Sequence, residues 1–129
     1  MAQFKIYGQA AALEPARERM SRVIHDCAVT VLQLPATKRF HRFFPMTAEN
    51  FPTPDGRSER YTIIEIAMFA GRSVETKKAL YRALYAAFER ELGIAPVDLE
   101  IAITETPKHD WGIRGLPADE LQLNYTVEV

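Results

Sequence analysis

The chain carries one apolar pattern twice, sixty residues apart. Met20, Val23, Ile24, Cys27, Ala28 and Leu32 form a stripe at the three- and four-residue spacing of one helix face. Leu80, Ala83, Leu84, Ala87, Phe88 and Leu92 repeat that stripe in register. Ile6, in an apolar run before the first stripe, matches Ile66 before the second, and the exits Leu34-Pro35 and Ile94-Ala95-Pro96 match as well. The repeated unit is strand, helix, short proline turn, strand. Such a unit is a right-handed β-α-β crossover with parallel strands, because a twisted strand packs its helix back only that way. The expected fold class is therefore α/β (α+β): a duplicated β-α-β forming a four-stranded mixed sheet with two helices on one face. Its halves run over about 2–44 and 60–104, with a C-terminal extension at 105–129, in one domain spanning 1–129.

Local chemistry sets the expected boundaries. Residues 2–7 read as a strand with Phe4 and Ile6 on one face, and 8–13 as a connection. Pro15 suits the first helical position, where its missing N–H costs nothing, so the first helix is expected from there to about Gln33. Residues 38–44 read as a strand, with Phe40 and Phe44 on one face and Arg39, His41 and Phe43 on the other. The proline-rich stretch 45–58 is a long loop, either a functional cover or a plain connector. Residues 60–69 are nearly continuously apolar and β-branched, as a central strand requires. Ser73 caps a second helix that runs from about Val74 to Leu92 and stops at Gly93. Val97, Leu99, Ile101 and Ile103 alternate as a half-buried strand, and Leu121, Leu123, Tyr125 and Val127 alternate as a final one. That last strand would join either its own sheet or the edge of a neighbouring subunit. The sheet face without helices needs cover, and homo-oligomerisation supplies it.

Composition excludes several function classes. A 47% hydrophobic and 26% charged chain of 129 residues is globular rather than disordered. A formal net charge of −1 gives no field for nucleic acid or an acidic membrane. No apolar run is long enough for a signal peptide or a membrane span, so the expected location is cytoplasmic. The single cysteine, Cys27, lies on the helical stripe and reads as a small core residue rather than a reactive thiol. His25, His41 and His109 show no ligand spacing, so no metal is expected. His25 reads as a boundary residue and His41 as an exposed strand histidine.

The segments Lys38-Arg39-Phe40-His41, Gly71-Arg72-Ser73, Gly93-Ile94-Ala95-Pro96-Val97-Asp98 and Asp110-Trp111, together with the duplication, resemble the tautomerase superfamily. The resemblance is to its malonate semialdehyde decarboxylase and cis-3-chloroacrylic acid dehalogenase branch, over nearly the whole chain. It implies a homotrimer with active sites between subunits and no metal or organic cofactor. It also implies chemistry at a proline that follows the initiator methionine, whose amine acts as acid, base or iminium former. Here that position is Ala2. Removal of Met1 would leave Ala2 a primary amine with an ordinary pKa of about 7.7–8.0, able to act as a base or form a Schiff base; retention of Met1 would leave only an amide there. The branch places an acid where Lys38 stands, and two arginines before the second helix, of which Arg72 matches one and Ala70 replaces the other. A decarboxylase or dehalogenase mechanism copied from those relatives is therefore not expected.

Arg72 remains the leading candidate. It sits between the central strand and the N-terminus of the second helix, where guanidinium and free N–H groups could converge on a carboxylate or phosphate; the competing reading is a surface arginine paired with Glu75 or another acid. Lys38 and Arg39 add positive charge beside the same pocket, or form a solvated face. Trp111, Phe43, Phe44 and Tyr61 would line the pocket, or serve packing. The expected ligand is a small carbonyl or 2-keto carboxylic acid undergoing keto–enol tautomerisation or a related step. The other reading is a non-catalytic trimer that binds a small anion or a protein.

Overall fold

The computed structural model describes residues 1–123 and 125–129. Strand β1 (Ala2–Gln9) alternates buried and half-buried positions along its length, with Ala2, Phe4, Ile6 and Gly8 inward. Helix α1 (Ala10–Leu32) follows, then β2 (His41–Met46), β3 (Thr62–Phe69), α2 (Val74–Ala87) and β4 (Leu99–Thr106). The sheet order is β2-β1-β3-β4. The outer pairs are parallel and the central β1–β3 pair is antiparallel. The duplication is visible in the register: Phe4 pairs with His41, and sixty residues on Ile64 pairs with Ile101. Lys5 lies opposite Glu65, its own repeat mate, so the local two-fold passes between them.

The stripe residues of both helices join Phe4, Ile6, Ile64, Ile66 and Met68 in one apolar cluster, which places both helices on the same face of the sheet. Each fully buried Leu, Ile or Phe in it contributes about 1.5–3 kcal/mol of transfer free energy. Ser73 caps α2 by accepting from the Thr76 N–H, satisfying a donor that the first turn leaves free. Past Ala87 the helix loosens into a π turn, Phe88–Leu92, and ends on Gly93 at φ 64°, the left-handed conformation that glycine adopts without strain. Leu34 and Ile94, the matched exits, are both buried.

Several boundaries depart from expectation. Helix α1 starts at Ala10, so Pro15 lies inside it. One backbone hydrogen bond is forgone there, while burial of Leu13 at 3% exposure rewards the extra turn. β2 begins at His41, because Lys38 is held in a turn by its N–H to the Pro35 carbonyl at 3.0 Å. β3 begins at Thr62, since the Tyr61 N–H turns back to the Ser58 carbonyl at 3.1 Å. Val97 is not in β4; it sits in the 3-10 turn Pro96–Asp98 and is exposed. The adjacent Asp98 is buried, and its carboxylate accepts from the Ser58 N–H at 2.8 Å and the Ser58 hydroxyl at 2.6 Å.

The tail holds the largest departure. No strand forms among the described residues of 121–129, and position 124, within the expected final strand, lies outside them. A two-residue hairpin, β5 (Gly112–Ile113) and β6 (Leu116–Pro117), precedes it instead. The face of the main sheet opposite the helices stays open: Tyr7 stacks on Phe44 at 4.8 Å, and Phe40 and Phe44 are each 38% exposed.

Candidate active site

β1 and β3 bring the start of the chain to the segment that leads into α2. Ala2 pairs with Met68, and the Met1 carbonyl accepts from the Phe69 N–H at 3.3 Å. Two residues beyond Phe69 the chain turns at Gly71, φ +134°, a conformation open to glycine. A Cβ there would lie 3.1 Å from Val127 Cγ1. The turn drives Arg72 inward, so that it is only 5% exposed. Its Nε, Nη1 and Nη2 have no hydrogen-bond partner among the described residues. Neither Glu75 nor another acid among the described residues pairs with it, and it is buried rather than on the surface. Burial pushes the guanidinium pKa down, against the opposing fields of Glu105 and Glu128. Glu105 itself is paired with Lys77 at 2.7 Å. A buried cation with unfilled donors is costly, and an incoming carboxylate supplies both the charge and the acceptors it lacks.

The Met1 amine lies in the same field. Its pKa falls from 8.0 to about 4, first through burial and then through Arg72, Lys38 and Lys108. It is therefore neutral at pH 7, with a lone pair free for a proton or a carbonyl carbon. It donates to Tyr125 Oη. The Lys38 ammonium stands 5.8 Å from the centre of the Tyr125 ring.

Beside the amine opens a pocket of about 350 Å³, lined by Met1, Gln3, Lys38, Phe40, Trp111 and Ile113 among others. That is within the range for a small organic ligand. Trp111 packs edge-on against Phe69 at 5.0 Å. Of the aromatic candidates only Trp111 lines this pocket. Phe43 packs against the core, Phe44 lies on the open sheet face, and Tyr61 is buried with its hydroxyl on Glu100. Arg39 lines an adjoining cleft that shares Gln3 and Phe40 with it.

The histidines lie elsewhere. His25 is buried rather than at a boundary, because its Nε2 meets the Ala36 carbonyl at 2.7 Å. His41 is half-buried rather than exposed, with Nδ1 at 2.7 Å from Ser21 Oγ. Burial, then His25 and Arg39, lower its pKa to about 4. His109 and Asp110 face each other at 3.6 Å on the surface. Among the described residues no three His, Cys, Asp or Glu side chains gather as metal ligands. The Cys27 thiol is buried, and burial, then Asp26, push its pKa up, as for a packing residue. No helix among the described residues is long and apolar enough to cross a membrane.

Three groups at the site escape sequence reasoning: Tyr125, Val127 and Lys108. Tyr125 and Val127 carry a two-residue alternation that signals a strand, and no sequence signal points them at the chain's start.

Comparison with known proteins agrees with the fold. The 2-hydroxymuconate tautomerase of Comamonas testosteroni is 37% identical over 57 residues, 44% of this chain and 90% of that protein, a length close to one repeat. A malonate semialdehyde decarboxylase crystallised after inhibition by 3-bromopropiolate superposes with TM-score 0.77 at 30% identity, over 85% of this chain and 87% of that one. A fused 4-OT symmetric trimer shares the fold, with TM-score 0.77 at 23% identity over 91% of this chain and 96% of that one. The family described as tautomerase enzyme matches residues 38–114, which include Lys38, Arg72 and Trp111. With more than half its length inside that family and the duplicated β-α-β sheet in place, this chain belongs to the tautomerase superfamily.

Proposed function

We propose that the protein binds small 2-keto carboxylic acids and catalyses keto–enol tautomerisation or a closely related proton transfer. Arg72 anchors the substrate carboxylate, Lys38 adds positive charge, and Trp111 walls the carbon skeleton. The N-terminal amine, on Ala2 once Met1 is removed, takes the α-proton or adds to the carbonyl. The observation that carries this reading is the buried Arg72 guanidinium, unpartnered among the described residues, whose positive field reaches the N-terminal amine, here on Met1. A carboxylate on Arg72 would cancel part of the positive field and raise the amine's proton affinity, moving it toward the range in which a base works best. The assembly we propose is a homotrimer: the open sheet face with Phe40 and Phe44 needs a partner, and structural relatives include a trimer.

The test is deuterium exchange at the α-carbon of 2-oxobutanoate in D2O, followed by NMR, with intact mass recorded to fix the state of residue 1. Exchange above buffer that is lost in Arg72→Ala supports the assignment. Equal exchange in both proteins removes Arg72 as the anchor.

A second reading has its own observation. Met1 is 5% exposed and packs with Phe69, Ala118 and Val127, so it fills apolar space beside the amine. A protein that keeps Met1 would bind anions or a partner without turnover. Quantitative retention of Met1 in the native protein would favour that reading.

A further inference from the structure

Residues 125–129 lie beside the site, against the Met1 amine, the Gly71 turn and the first turn of α2. Tyr125 Oη accepts from the Met1 amine. Val127 is 1% exposed, wedged among Met1, Phe69 and Ala118 and against Gly71. A backbone oxygen of Val129 accepts from the Ser73 N–H and from Thr76 Oγ1, both at 2.9 Å. Those two donors form the N-terminal turn of α2, immediately after Arg72. They are the groups that an anion seated on Arg72 would also use, since a helix N-terminus offers free donors and a positive dipole end. The chain's own oxygen holds these donors, while the neighbouring Arg72 guanidinium has no partner among the described residues.

We propose that residues 125–129 are a displaceable strap, with the Val129 oxygen holding the α2 donors until a substrate carboxylate takes them over. The proposal rests on the reading of Arg72 as a carboxylate anchor. With Met1 in place, displacement also breaks the contact between Tyr125 and the Met1 amine; the hold of Val129 on Ser73 and Thr76 does not depend on Met1. The strap is suited to opening. Its described residues belong to no sheet ladder, and Val127 is its one deeply buried side chain. Segments with few buried contacts open at low free-energy cost. Because strap and ligand compete, the ligand's apparent affinity is reduced by the fraction of molecules in which the strap is open.

Hydrogen exchange read by mass spectrometry on the peptide covering 121–129, with and without saturating 2-oxobutanoate, tests this directly. The strap predicts faster exchange in the bound state, the opposite of the protection that a ligand ordinarily confers. Val127→Ala, which loosens the strap, should tighten 2-oxobutanoate binding by about fivefold. Binding that depends on Arg72, with slowed or unchanged exchange at 121–129 and unaltered affinity in Val127→Ala, overturns the strap alone. Absence of binding by both wild type and Val127→Ala overturns the carboxylate anchor and the strap with it. Binding by Val127→Ala where wild type binds undetectably supports both.

Discussion

Arg72, buried, and His41, half-buried, show two ways a basic side chain is managed in this fold. His41 sheds its charge: with its pKa near 4 it is neutral around pH 7 and shares a hydrogen bond with Ser21. Its unfolded-state pKa of about 6.5 is higher, so the unfolded chain binds the extra proton first as pH falls. Stability should therefore decline between pH 6.5 and about 4, and His41→Asn should flatten that decline in urea titrations across the range. Arg72 cannot shed its charge, because guanidinium stays protonated in proteins. Replacing it with an apolar side chain of similar length removes an uncompensated buried charge. Arg72→Met is expected to raise stability by about 1 kcal/mol or more in thermal or chemical denaturation while costing ligand binding. A loss of stability instead would mean that the guanidinium has a partner holding it in the fold.

At the scale of elements, the second repeat is the better regulated helix. Ser73 caps α2 through the Thr76 N–H, and Gly93 ends its π turn at positive φ. Ser73→Ala should cost about 1 kcal/mol. Gly93→Ala should cost about as much, from left-handed strain alone, with space for the new Cβ against Arg60 Nη1 at 3.5 Å. Both are read as shifts in the denaturation midpoint. These caps were legible because a serine before a helical stripe and a glycine after it each answer one backbone requirement. The stripes were legible for the same reason, and all six positions of the first are buried. Pro15 misled because burial of Leu13 outweighs one absent helical hydrogen bond. The tail misled for a different reason. Leu121, Leu123, Tyr125 and Val127 alternate as a strand does, but a strand also needs an edge to pair with. This chain instead spends Tyr125 and Val127 on the amine and on Gly71. Arg72 was placed correctly between strand and helix, yet its isolation from Glu75 depends on the Gly71 turn, which only the folded backbone displays.

At the scale of the molecule, duplication accounts for both the sheet and the address of the site. The two-fold between Lys5 and Glu65 sets β1 against β3, so the chain's first residues meet the end of β3 and the start of α2. The amine and the Trp111 pocket are neighbours for that reason, and Arg72, which does not line the pocket, lies near enough to lower the amine's pKa. The same sheet leaves a face carrying Phe40, Tyr7 and Phe44 without helices. Native mass spectrometry should find three copies, and Phe44→Glu should shift the population toward monomer by burying a carboxylate at the contact. The proposed activity requires Arg72 to be an anion seat. Calorimetric titration of wild type and Arg72→Met with 2-oxobutanoate measures that most directly. The expected result is saturable binding to the wild type and an affinity lower by about a hundredfold in Arg72→Met, as when one partner of a buried charge pair is lost; equal affinity in the two proteins would contradict it.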